Sequence, residues 1–158
     1  MPAIRSHQRI VEEIPTSFPS IANREEWISE PGGLTQFGAF VHVLQPGTSS
    51  SIRHWHQAED ELVYVLVGEV TVLEGADEYV LRAGDAATFP SGIPAGHFLC
   101  NRSGAVAHCL IVGTRAHVDR VTYPDHDRVM HRDRAMAHDT WTDLSGAEAG
   151  SPYKHWKP

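Results

Sequence analysis

The stretch "HWHQAEDELVYVLVGEVTVLE", residues 54–74, decides how this chain is read. Its second half holds two β-rich runs, "ELVYVLV" and "EVTVLE", separated by Gly68. Valine, tyrosine and threonine suit the pleated surface of a sheet. Gly68 marks a tight turn, where a positive φ is cheap only for glycine. Side chains alternate along a strand, so His54 and His56 share one face, roughly 7 Å apart along the chain, and Trp55 takes the other. Glu61 opens the next strand with the parity of Val63 and Val65. An inward carboxylate at the end of an apolar strand is costly unless it is paired or bound to a metal. A single strand histidine is ordinarily a packed or surface residue. Two at i and i+2 followed by an inward glutamate form a donor set for a transition metal with open positions. Glu59 and Asp60 are alternative donors, read instead as a solvated loop edge.

Working outward, β-rich runs recur, each bounded by Gly, Pro or polar turns. Strands are expected at residues 37–44, 51–56, 61–67, 69–74, 78–82, 85–89, 97–100 and 105–112. With no helix between them, these strands point to an all-β, antiparallel sandwich or barrel over residues 37–113. Residues 1–36 read as an N-terminal arm, broken by Pro15, Pro19, Pro31 and Gly32-Gly33, with one helical turn in "ANREEWIS". Residues 114–158 read as a polar C-terminal extension, with strands around Val121 and Val129 and a loosely held end from Asp143. In "ELVYVLV" both faces are apolar, whereas a sheet with one wet face would alternate. The arm, the extension or a second subunit is therefore expected to cover Leu62, Tyr64 and Leu66, and a homodimer is expected. Trp55 is expected to join that covered surface.

A chain of 158 residues is long enough for one domain with its own core. The net charge of −7, with no basic block, argues against nucleic-acid and anionic-membrane partners. No apolar run approaches the ~18 residues of a membrane helix, and "MPAIRSHQRIVEEIP" lacks the apolar region of a signal peptide. Cys100 and Cys109 fit no zinc or redox spacing and read as reduced, packed thiols. A cytoplasmic protein with a small-molecule substrate or ligand is the expectation.

Downstream, "AGDAATFPSGIPAGHFLCN", residues 83–101, offers a Gly-Asp turn, a strand, a Pro/Gly-rich loop, and then His97 opening another strand. His97 is a natural fourth donor. The spacing of His54, His56, Glu61 and Gly68 resembles the first motif of the cupins. Gly84, Pro90, Gly92, His97 and Asn101 resemble the second. Two spacings depart from that pattern: Gly47 stands six residues before His54 instead of five, and four residues separate Gly92 from His97 instead of two. The chain also resembles small bacterial single-domain cupins with the shape "FPxGxPxGHxLxNRS" and a "TYPDxD" tail. The resemblance implies a jelly-roll β-barrel in which His54, His56, Glu61 and His97 hold one divalent transition metal (Fe, Mn, Ni, Zn, Co or Cu).

The other histidines are sorted by strand parity. If "NRSG" closes a tight hairpin, His108 falls opposite His97 and serves as an acid or base near the metal. The parity of His42 is open. His117, His126, His131, His138 and His155 lack ligand spacing and read as surface residues. No phosphate-cradling glycine loop and no Ser-His-Asp arrangement is legible. Three functions remain: a metal-dependent enzyme acting on a sugar or organic acid, by isomerase, lyase or oxygenase chemistry; a small-molecule sensor; or a structural barrel. An oxygenase would need an apolar pocket, for which Val63, Val65 and Leu99 are candidates. A phosphosugar enzyme would need an inward cation, and neither Arg53 nor Arg82 is placed to supply one.

Overall fold

A computed structural model describes residues 3–13 and 23–153. It is nearly all β. The strands are β1 (Ile10–Glu13), β2 (Asn23–Trp27), β3 (Phe37–Leu44), β4 (Trp55–His56), β5 (Glu61–Val67), β6 (Glu69–Glu74), β7 (Asp77–Arg82), β8 (Ala86–Phe89), β9 (His97–Cys100), β10 (Ala107–Thr114), β11 (Val118–Tyr123), β12 (Arg128–Asp133) and β13 (Thr140–Thr142). A six-stranded sheet runs β1-β2-β3-β10-β5-β8. Facing strands form a three-stranded sheet, β7-β6-β9, and a four-stranded one, β13-β12-β11-β4. The last two are joined where His54 and His97 exchange backbone hydrogen bonds of 3.2 and 2.8 Å. All pairings among these strands are antiparallel, giving the jelly-roll barrel.

The core lies between the sheets. Val63, Val65, Val70, Val72, Leu44, Ala107 and Cys109 are fully buried. Each buried valine or leucine removes enough apolar surface to contribute about 1.5–3 kcal/mol. Gly68 joins β5 to β6 at φ 81°, and a Cβ there would sit 2.9 Å from the Val106 carbonyl oxygen. Glycine is therefore needed at this corner for its backbone freedom and for its missing side chain.

Several local expectations are corrected. Residues 23–27 form a strand, not a helical turn, because Trp27 pairs with Phe40 and their ring centroids lie 4.5 Å apart. Sheet pairing here overrides the helix preference of the Glu-Glu pair. The expected strand at 51–56 shrinks to Trp55–His56, since the Ser51 and His54 side chains engage local groups. The end expected to be loose is tied down as far as Tyr153: Thr142 bridges Glu148, and Tyr153 packs on the cluster of Ile52, Val121, Tyr123 and Met130. Among the outer residues of β3, Ala39, Val41 and Val43 are covered. Leu62, Tyr64 and Leu66 on β5 stay open, at 37%, 39% and 43% exposure. No helix among the described residues is long and apolar enough to cross a membrane.

Candidate metal centre and its relatives

The backbone exchange between His54 and His97 puts both imidazoles on one face, with ring centroids 5.1 Å apart. His56, two residues on, brings its ring 5.2 Å from His54. Glu61 starts β5 on the inner face. Donor atoms of His54, His56 and Glu61 lie within 4.8 Å of one another, and His97 Nε2 is 3.7 Å from Glu61 Oε1. The longer loop at residues 93–96 thus brings His97 beside Glu61 and His54, while the tightest donor group is His54, His56 and Glu61.

Each imidazole is held by the fold. The Ile52 carbonyl oxygen, 2.9 Å from His54 Nδ1, can only accept, so Nδ1 carries the proton and Nε2 keeps its lone pair. Asp119 Oδ2, 2.7 Å from His56 Nδ1, imposes the same arrangement on His56. His97 stacks face to face on Phe89, at 3.7 Å between centroids. Its Nε2 is buried and has no hydrogen-bond partner. An orphaned buried nitrogen costs about 1–3 kcal/mol unless something completes it. Three nitrogens and one carboxylate around that atom fit a divalent transition metal.

The electrostatics keep His54 and Glu61 in ligand form, whereas a metal at His56 would displace a proton. Burial, with His56 and His97 alongside, pushes His54 down to about 4, so the ring is neutral at neutral pH. Burial works to raise Glu61, but the three imidazoles, His97 first, hold it at about 2. Burial also opposes charge on His56, yet the Asp119 hydrogen bond, helped by Glu61 and Glu59, lifts it above its ordinary value.

The other expected residues fall elsewhere. His108 pairs with Val43 and Val67 on the outer face, while its neighbour Cys109 enters the core. It is not brought opposite His97, because β9 pairs with β6 and not with β10. His42 lies opposite Cys109 and so faces inward, 3% exposed. Glu59 is not a solvated edge. It is 7% exposed, accepts from the Ala116 N–H at 2.9 Å, and pairs with Arg134 at 2.7 Å. Asp60 stays exposed and accepts from the Ser91 N–H. Trp55, His56, Glu74, Phe89 and Ile93 line a shallow cleft beside His97, so Trp55 meets the site and not an outer cover. His117 and His138 are exposed, His126 and His131 half-buried, and His155 lies outside the described residues. Cys100 and Cys109 are free thiols. Asp119, 2% exposed, and Glu74, opposite His97 on β6, had no signal in the sequence, since each reaches the site only through strand pairing.

Residues 40–113 match the family model described as a cupin domain. No curated protein matches the chain. Among solved structures, a sugar phosphate isomerase of the cupin superfamily from Silicibacter pomeroyi is 30% identical, with a TM-score of 0.84 over 95% of this chain and 98% of that one. A candidate sugar phosphate isomerase from Acidithiobacillus ferrooxidans is 27% identical, with a TM-score of 0.76 over 84% of this chain and 83% of its own. A predicted oxalate decarboxylase from Thermotoga maritima, 22% identical, shares the fold at a TM-score of 0.58 over 73% of this chain and all of that one. With the motif histidines, the inward glutamate and the jelly roll in one place, and a 30% identical relative matching nearly end to end, the chain belongs to the cupin superfamily.

Proposed function

We propose that the chain is a metal-dependent enzyme that isomerises a small sugar or hydroxy acid. His54, His56, Glu61 and His97 would hold one divalent transition metal. When bound, the metal acts as a Lewis acid on substrate oxygens. The observation that carries this reading is the buried, partnerless Nε2 of His97 beside the Glu61 carboxylate. The Ile52 carbonyl and Asp119 orient two of the imidazoles, and Phe89 and Tyr123 stack on His97 and His54 to limit water.

Isomerase chemistry is favoured over oxygenase chemistry by two observations. Two similar structures bear the name sugar phosphate isomerase. Val63, Val65 and Leu99, needed for an oxygenase's apolar pocket, are consumed by the core. Proton transfer needs a group besides the ligands. His108 faces away, and His42 faces inward.

Elemental analysis of full-chain protein purified without oxygen tests this, beside His56→Ala. About one metal per chain, lost in the variant, followed by interconversion of an aldose–ketose or hydroxy-acid pair, is the expected result. A metal-free wild type after reconstitution overturns it. Metal without turnover of any sugar or acid leaves a binding protein. The bare apolar row on β5 also supports a homodimer, with a second copy covering Leu62, Tyr64 and Leu66.

A further inference from the structure

The inner face of β3 continues onto the N-terminal hairpin. Glu25 lies opposite His42, and Trp27 opposite Phe40. Glu12 lies opposite Glu25 in turn. His42 is opposite Cys109 of the core, so its side of β3 looks into the barrel, and the row runs outward from there to Glu12 on the exposed edge strand. Glu61 is near enough to act electrostatically on both His42 and Glu25.

Two atoms of this row are buried without a hydrogen-bond partner: His42 Nε2 and Trp27 Nε1. The Trp27 indole lies beside the Glu25 carboxyl without closing a bond to it. Orphaned buried groups are rare in folded proteins and each is costly. Among the described residues the other such atoms are Arg24 Nε, on the opposite face, and His97 Nε2, in the candidate metal site. Across the barrel, two more wait on a wall next to it.

We propose that Trp27, Glu25 and His42 form a subsite for the hydroxyl groups of an unphosphorylated sugar. This rests on the metal-enzyme reading above. A hydroxyl both donates and accepts. The indole N–H donates to it, and the imidazole and the carboxyl take either role. The tilted pair Trp27–Phe40 offers an aromatic wall for the sugar's C–H face. The ionisable groups on this face among the described residues are His42, Glu12, Glu25 and Glu61, and the cation beside it, Arg115, whose guanidinium lies against Gly38 next to the Trp27 ring, is already bound to Glu30 and the Leu34 carbonyl, so no uncommitted cation there favours a phosphate. Arg24 belongs to the opposite face, paired with Val43, and bonds Glu26.

The test uses full-chain protein, metal-loaded and metal-free, titrated with D-fructose, D-ribose and D-fructose 6-phosphate. The readouts are the Trp27 indole N–H resonance, calorimetric affinity and metal content. A free sugar is expected to shift that resonance. Trp27→Phe and His42→Leu should each weaken binding about tenfold, the loss of one hydrogen bond, with metal content unchanged. Because His42→Leu alters a buried site, Trp27→Phe keeps the proposal falsifiable if the former fails to fold. A silent indole with every sugar, unchanged affinity in Trp27→Phe, or much tighter binding of the phosphate each overturns it. If wild type holds no metal yet a sugar shifts Trp27, the metal reading fails and the subsite stands. If metal is present and Trp27 is silent, the subsite alone falls.

Discussion

Glu25 is the residue whose charge works most plainly against the fold. Burial, with Glu12 alongside, pushes its carboxyl from 4.5 up to about 7. Between those pH values the native chain keeps a proton that the unfolded chain has released, so stability falls as pH rises through that window. Glu25→Gln should flatten this slope and raise stability above pH 7 by on the order of 2 kcal/mol, as read by urea denaturation at pH values across the window. Retention of a destabilising carboxyl is what a functional position looks like. Asp119 works in the opposite sense. Asp119→Asn removes the carboxylate that fixes the His56 tautomer, and metal affinity should fall about 10- to 100-fold in chelator competition while the circular dichroism spectrum holds. His54 and His56 were legible as a candidate pair because strand parity puts them on one face, and Glu61 and His97 joined them as candidates through the spacing that resembles the cupin motifs. Asp119 was not, because it meets His56 across 63 positions of chain through the β4–β11 pairing. His42 was ambiguous because "FGAFVHVL" is apolar on both faces, so no alternation reveals which way a histidine points.

At the scale of elements, the corner at Gly68 and the order of strand pairing decide most of what is seen. Gly68→Ala would impose a strained φ and a contact with the Val106 carbonyl together. Destabilisation of about 2 kcal/mol or more is expected in urea melts, with the metal stoichiometry of the folded fraction retained. Strands β3, β5, β6 and β9 were readable to the residue, since β-rich runs there end at Gly, Pro or polar turns. The placement of His108 was not readable. It depended on which strands pair with β9 and β10, and a chain of similar strands does not announce its neighbours. The N-terminal hairpin was missed for a related reason: Glu-Glu favours a helix locally, and only an available sheet edge at β3 turns it into a strand.

For the whole molecule, the open row on β5 sets the expectation for assembly. Leu62, Tyr64 and Leu66 project from the face opposite the candidate metal. A stable interface buries roughly 800 Å² per partner, and an apolar row on a sheet is a natural centre for one. Light scattering should give a dimer at micromolar concentration, and Leu66→Lys should give a monomer that still binds metal. A wild-type monomer would overturn this.

The Asp119 contact has a consequence for biosynthesis. The family match ends at residue 113, yet the carboxylate that aims His56 arrives on the strand that follows. A nascent chain that has emerged only as far as β10 presents all four candidate ligands but leaves one of them free to swivel. On the metal-enzyme reading, tight metal retention is then expected only once β11 has followed the barrel. A chain cut after Thr114 should refold, if at all, into a barrel that exchanges its metal quickly.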